Sequence, residues 1–168
     1  MLVGLSSTFQ DHVGTLQRIV DALGRLPVRG LVTTGPTLEP GALRAPANVT
    51  VVAAAPHSEV LRHAAAVVTH GGHGTVVRAL AAGVPMVVLP HGRDQADNAT
   101  RLTMRGAALS LKRTAPPEAI ATAVRRVLSE PSFRKGAGRL GTSIRRDAAG
   151  GALLAELEDL PAVAGARP

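Results

Sequence analysis

The stretch VVTHGGHGT, residues 67–75, joins a short apolar segment to a glycine-rich turn and then to a helical pattern. The β-branched residues before the turn favour a strand. After it, helical spacing runs from about Gly74 to Ala82 and stops at Gly83. A strand, a tight turn and a helix in that order are typical of a sheet whose strands run parallel.

The same alternation extends in both directions along the chain. Strands are predicted at residues 2–5, 29–34, 49–53, 66–69, 84–89 and 107–111. Helices are predicted at 13–23, 58–63 with Ser58 as N-cap, 74–82, 94–105, about 117–128 and 133–148. Glycines in the last of these weaken it, and the Pro- and Gly-rich residues 35–48 predict a loop. The pattern predicts a Rossmann-like, three-layer α/β/α domain with a parallel sheet.

Length and composition set the outer bounds of this domain. The 168 residues are enough for one core, which we expect to occupy residues 1–160, followed by a flexible tail at 161–168. The chain has no cysteine, which excludes a disulfide framework and a thiol nucleophile. The sequence shows neither an apolar run of membrane-spanning length nor an export signal, so we expect a cytoplasmic protein.

The net charge of +7 raises the question of nucleic-acid binding. Most of the excess positive charge lies after residue 100, where the chain has twelve basic and six acidic residues. Phe9 and Phe133 are the only aromatic residues, so the stacking surfaces of single-strand binders are missing. The sequence therefore predicts a solvated basic helical face and no nucleic-acid partner.

The turn from His70 to Thr75 could bind a phosphate. Its backbone N–H groups and the positive end of the following helix dipole would face one point, and Thr75 and a histidine could add hydrogen bonds. The turn has neither the spacing of a dinucleotide fingerprint nor the lysine of a P-loop. A phosphate site and a tight structural turn both remain open on these residues alone.

Three further loops follow strands of the predicted sheet, where parallel strands present their carboxyl ends. Asp94-Gln95 could hold vicinal hydroxyls, although Asp94 could equally be the N-cap of the next helix. Pro56-His57 could read a flat polar ligand edge, and Ser6-Ser7-Thr8 could donate to the same anion or form only a turn. We expect no metal site, because no carboxylate or cysteine completes a tetrahedral set with His70, His73 and His91.

From Leu2 to about Leu128 the sequence resembles the nucleotide-binding C-terminal half of GT-B fold glycosyltransferases that use a nucleoside-diphosphate sugar. It is most similar to the bacterial enzymes that glycosylate macrolides and other secondary metabolites. The residues that carry the resemblance are Pro56-His57, 67–75, 81–85, Asp94-Gln95 and Asn98.

The resemblance implies a UDP- or dTDP-sugar donor, a small-molecule hydroxyl acceptor, inversion at the anomeric carbon, and neither cofactor nor metal. It implies that His70 contacts the donor diphosphate, with Ser7 approaching from the opposite loop, and that Asp94 and Gln95 bind the sugar. The nucleobase would meet Pro56 and the backbone of His57. The outer phosphate would be held by Gly72, His73, Gly74 and Thr75.

The chain departs from the family pattern at three points. Ala54 stands where many relatives have an aromatic residue that stacks on the base, and Arg78 stands where plant relatives have a ribose-binding Glu. The N-terminal acceptor domain, which usually carries the catalytic base, has no counterpart here, so we expect this chain alone to be inactive. A non-catalytic nucleotide- or sugar-binding regulator and a partner-dependent subunit remain alternatives, and a homodimer is possible.

Overall fold

The computed structural model describes residues 1–5, 13–36 and 38–151 of the chain. The strands are β1 (Leu2–Gly4), β2 (Gly30–Thr33), β3 (Val49–Val52), β4 (Val67–Thr69), β5 (Met86–Val88) and β6 (Ala108–Ser110). The helices are α1 (Val13–Gly24), α2 (His57–Arg62), α3 (His73–Ala81), α4 (Gln95–Met104), α5 (Pro117–Ser129) and α6 (Pro131–Ala149). The predicted tail at 161–168 lies outside the described residues.

The strands form one six-stranded sheet in the order β3-β2-β1-β4-β5-β6, and every pairing is parallel. Along the chain, β2 and β3 are added on one side of β1, and β4 is then added on its other side. The direction of winding therefore reverses between β1 and β4, where Gly4 pairs with Thr69. In such sheets the crevice beyond the carboxyl ends of the strands at this reversal is where ligands bind.

Successive side chains of the central strands β1, β4 and β5 enter two separate apolar layers. Val3, Val68 and Val87 belong to the core beneath α1 and α5. Their neighbours Leu2, Val67 and Met86 belong to the core shared with α3 and α4. Because both faces of the sheet are covered, every residue of β1, β4 and β5 is buried, and Thr69 is the one among them with a polar side chain. The predicted three-layer α/β/α architecture is confirmed.

Helix α6 packs closely against α3 through its glycines. A side chain at Gly141 would collide with the carbonyl oxygen of Leu80, and one at Gly136 would collide with that of Gly106. Gly138, by contrast, has open space where a Cβ would stand. Two of the glycines that weaken the helical pattern of α6 are therefore the residues that let its backbone approach its neighbours.

Local details differ from the sequence predictions at two places. Ser58 is not the N-cap of α2: that position is taken by Pro56, and Ser58 lies inside the first turn. The loop at 35–48 contains a short 3-10 turn at Pro40–Ala42, since Pro40 supplies the fixed φ that a helical first residue needs. In the ranges that the structure describes, no helix is both long and apolar enough to cross a membrane.

Candidate functional site

A cleft of about 360 Å³ opens at the point where the sheet reverses direction. Leu5, just after β1, and His70, just after β4, form two of its walls, and the start of α3 forms its floor. Its lining consists of Leu5, His57, His70, Gly72, His73, Gly74, Thr75 and Arg78. Five of the six residues predicted to bind phosphate thus lie together, and the sixth, Ser7, is outside the described residues.

The first turn of α3 faces this cleft with backbone donors. Gly72 is the N-cap, and its carbonyl accepts hydrogen bonds from the amides of Thr75 and Val76, both at 3.1 Å. The amides of His73 and Gly74 are the first two of the helix, and such amides have no carbonyl partner within their own helix. No acidic residue stands in this turn. The arrangement is suited to an anion, which the helix dipole also favours.

The three glycines of the turn differ in how much room their surroundings leave for a side chain. Gly71 has a φ of 90°, and a Cβ there would lie 2.8 Å from the Val88 side chain. A Cβ on Gly72 would come within 2.5 Å of Nε2 of His70, so this glycine makes room for the imidazole. A Cβ on Gly74 would meet only the flexible end of the Arg78 side chain, at 3.4 Å. Packing therefore requires glycine at positions 71 and 72 and leaves room for a Cβ at Gly74.

The His70 side chain is 8% exposed and is held beside the glycine turn. Its Nδ1 lies 3.4 Å from Oγ1 of Thr69, and the Gly4 backbone also hydrogen-bonds the ring. Burial lowers the pKa of His70, the nearby His91 lowers it further, and Asp94 and the Gly4 contact oppose the shift. An incoming diphosphate would favour the protonated ring, which could then donate to it.

A second cleft of about 270 Å³ adjoins the first. The two share Leu5 and His57, and the second is otherwise lined by Thr33, Gly35, Pro36, Ala53, Ala54 and Ala55. His57 Nε2 lies 3.0 Å from Oγ1 of Thr33, so the imidazole itself faces the shared wall. Burial lowers the pKa of His57, and the Arg78 cation adds to that effect. Pro56, also predicted to contact a base, is exposed at the N-cap of α2 and lines neither cleft.

Asp94 and Gln95 are placed differently from each other. Asp94 is exposed at the N-cap position of α4, yet its side chain makes no capping hydrogen bond. Gln95 is only 3% exposed, and its Oε1 accepts a 2.7 Å hydrogen bond from the His91 amide. Gln95 therefore holds the loop between β5 and α4 in shape, while the Asp94 carboxylate remains accessible to a ligand.

Asn98 joins this loop to the glycine turn. Its Nδ2 donates to the Gly71 carbonyl at 3.0 Å and to Oδ2 of Asp94 at 2.8 Å. Both protons of one amide are therefore used, one on each loop. Asn98 belongs to the motif seen in the sequence, but its bracing role depends on a contact 27 positions away along the chain, which no local pattern reveals.

The remaining histidine of the predicted set, His91, is part of the loop between β5 and α4. Its Nδ1 donates to the carbonyl of Leu89 at 2.8 Å, and burial lowers its pKa. Within residues 1–5, 13–36 and 38–151, no group of three or more His, Asp or Glu side chains is placed to hold a metal ion.

Comparison with known proteins identifies the family. Residues 17–159 match the erythromycin biosynthesis protein CIII-like C-terminal domain. Over 122 residues the chain is 43% identical to 4'-demethylrebeccamycin synthase of Lentzea aerocolonigenes, covering 72% of this chain and 28% of that protein.

Solved structures agree with this assignment. The calicheamicin glycosyltransferase CalG4 superposes with a TM-score of 0.83 at 30% identity, over 98% of this chain and 42% of that one. The spinosyn rhamnosyltransferase SpnG complexed with thymidine diphosphate gives 0.80 at 27% identity, over 94% and 45%. The chain spans less than half the length of these relatives. The predicted fold, one half of a GT-B architecture, is confirmed, and the chain belongs to the erythromycin biosynthesis protein CIII-like C-terminal domain family of glycosyltransferases.

Proposed function

We propose that this chain binds the nucleoside-diphosphate-sugar donor of an inverting glycosyltransferase whose acceptor is a natural-product hydroxyl. The observation that carries the proposal is the cleft between β1 and β4, in which the first turn of α3 and His70 converge. Backbone amides, a helix N-terminus and an imidazole are the groups that neutralise a diphosphate.

The chemistry requires charge stabilisation at the leaving group. As the anomeric carbon–oxygen bond breaks, negative charge grows on the outer phosphate of the departing diphosphate. The amides of His73 and Gly74, the Thr75 hydroxyl and a protonated His70 would stabilise that charge. The acceptor hydroxyl would lose its proton to a general base, which we assign to a part of the enzyme beyond this chain.

Different parts of the donor would occupy the two clefts. The diphosphate would occupy the cleft at α3, and the base would enter the neighbouring cleft lined by Ala53, Ala54 and Ala55. Because alanine cannot stack as an aromatic residue does, we expect base recognition to rest on shape and on backbone polar groups. The sugar would lie towards Asp94, whose carboxylate Asn98 orients. We expect UDP and dTDP to bind with this same division.

Calorimetric titration of this chain with UDP, dTDP, GDP and UMP, and with the nucleosides uridine and thymidine, tests the proposal. We expect one diphosphate to bind more tightly than UMP, His70→Ala to weaken it, and Thr75→Ala to weaken diphosphate binding more than nucleoside binding. Thr122→Ala on α5, outside both clefts, is the matched control. No binding at millimolar nucleotide would contradict the proposal.

A chelator provides a second readout of the same experiment. The described lining of the diphosphate cleft contains no carboxylate, and carboxylates are what Mg²⁺ binds in proteins. We therefore propose that the protein alone neutralises the diphosphate, so its affinity should be unchanged by EDTA. A tenfold loss of affinity on adding EDTA, restored by Mg²⁺, would show instead that a metal accompanies the donor.

A further inference from the structure

Arg78 lies on the second turn of α3, three residues after Thr75, and its side chain lines the diphosphate cleft. Its Nη1 is 3.4 Å from the Gly74 carbonyl oxygen. Its charge adds to the effect of burial in lowering the pKa of His57, which lines the same cleft. The guanidinium thus lies between the residues that begin α3 and the histidine shared with the second cleft.

Arg78 has no ion-pair partner among the residues that the structure describes. The ion pairs found there are Arg25–Glu118, Arg126–Glu130 and Arg146–Asp147. Its hydrogen bond to Gly74 is long and uses one of five donors. A cation that faces a cleft without a compensating carboxylate is free to pair with an anionic ligand.

We propose that Arg78 binds the phosphate of the donor that is attached to the nucleoside. The inference rests on the proposed donor-binding function and extends it to a residue outside the glycine turn. The first turn of α3 and His70 take the outer phosphate, and Arg78 lies beyond Thr75 on the side of His57, where the inner phosphate must pass to reach the second cleft. A planar guanidinium can hold two phosphate oxygens at once, which an acidic side chain at this position could not do.

The experiment compares Arg78→Gln with Arg125→Gln, which removes the same charge from an exposed site on α5. Each variant is titrated with dTDP, dTMP and thymidine, or with the uridine series if the wild-type chain prefers UDP. We expect Arg78→Gln to weaken the diphosphate and the monophosphate about 10- to 100-fold, the range of a charged hydrogen bond, and to leave the nucleoside unchanged. Arg78→Lys should lose less, because it keeps the charge without the fork.

The outcomes separate this inference from the proposed function. If the wild-type chain binds no diphosphate, the proposed function itself fails. If it does bind and Arg78→Gln behaves like Arg125→Gln, the Arg78 assignment alone is overturned. If Arg78→Gln lowered the affinity for the diphosphate but not for the monophosphate, Arg78 would bind the outer phosphate instead. If the affinity for the nucleoside fell equally, Arg78 would bind the ribose. Either result would overturn the assignment of Arg78 to the inner phosphate. Circular dichroism and thermal unfolding confirm that each variant is folded.

Discussion

Single residues of the site follow from the sequence to different extents. The grouping of His70, His73 and Thr75 around one point could be predicted, because all three belong to a tight turn between a strand and a helix. Such a turn keeps their backbones close together. The separate duties of Gly71 and Gly72 could not, since each depends on a contact with a side chain that only the folded chain brings near. The orientation of Arg78 towards the cleft likewise depends on where α2 and α3 meet.

The histidines make stability depend on pH. Burial is the largest cause of a lowered pKa at His57, His70 and His91, so each ring resists protonation in the folded protein. Below the 6.5 of a free imidazole the unfolded chain therefore binds more protons than the folded one. Their contribution to stability is complete above pH 6.5 and is lost as the pH falls towards their folded pKa values.

We therefore expect the free energy of unfolding, measured with urea, to fall between pH 7.5 and pH 5.5. Replacing His70 by Gln should reduce that slope, because one of the three shifted groups is removed. Saturating diphosphate should reduce it too, since an anion favours the protonated ring. A free energy of unfolding that stays constant or rises as the pH falls from 7.5 to 5.5 would contradict the conclusion that burial lowers the pKa of these histidines.

At the level of elements, all six strands were predicted within two residues of their ends. The central strands β1, β4 and β5 are short and almost entirely apolar, and Ser6, His70 and Pro90 come shortly after them and mark their ends. The prediction that Ser58 caps α2 was wrong, because helix entry was set by Pro56 in the adjoining turn. The glycines of α6 lowered its helical propensity, and nothing in the local pattern indicated that α3 lies against them.

Two substitutions on α6 separate propensity from packing. Gly141→Ala should destabilise the protein by about 1–3 kcal/mol, because its methyl group would press on the Leu80 carbonyl. Gly138→Ala should stabilise it by roughly 0.5–1 kcal/mol, because alanine favours helix and the added methyl meets open space. Chemical unfolding measures both values. Equal effects of the two substitutions would show that close packing of α6 on α3 is not what Gly141 provides.

For the whole molecule, the sequence predicted a parallel α/β sheet but not the order of its strands. Strand order is decided by long-range pairing, in which β4 returns to lie beside β1. That return is what joins the loops after both strands into one cleft. The sequence predicted that the loops would converge because every strand of a parallel sheet presents its carboxyl end at the same edge. Residues after β1, β3 and β4 line the two clefts, whereas Asp94 and Gln95 line neither, and Ser7 is outside the described residues.

The most direct test of the account is to map nucleotide binding on the isotopically labelled chain by NMR. On titration with dTDP or UDP, we expect the largest amide shifts at Gly72, His73, Gly74 and Thr75, with smaller shifts at Leu5 and 53–55. A monophosphate should shift the latter group while perturbing the first turn of α3 less. Largest shifts elsewhere, for example in the groove lined by Leu109, Glu118 and Arg126, would contradict a donor site at the reversal between β1 and β4.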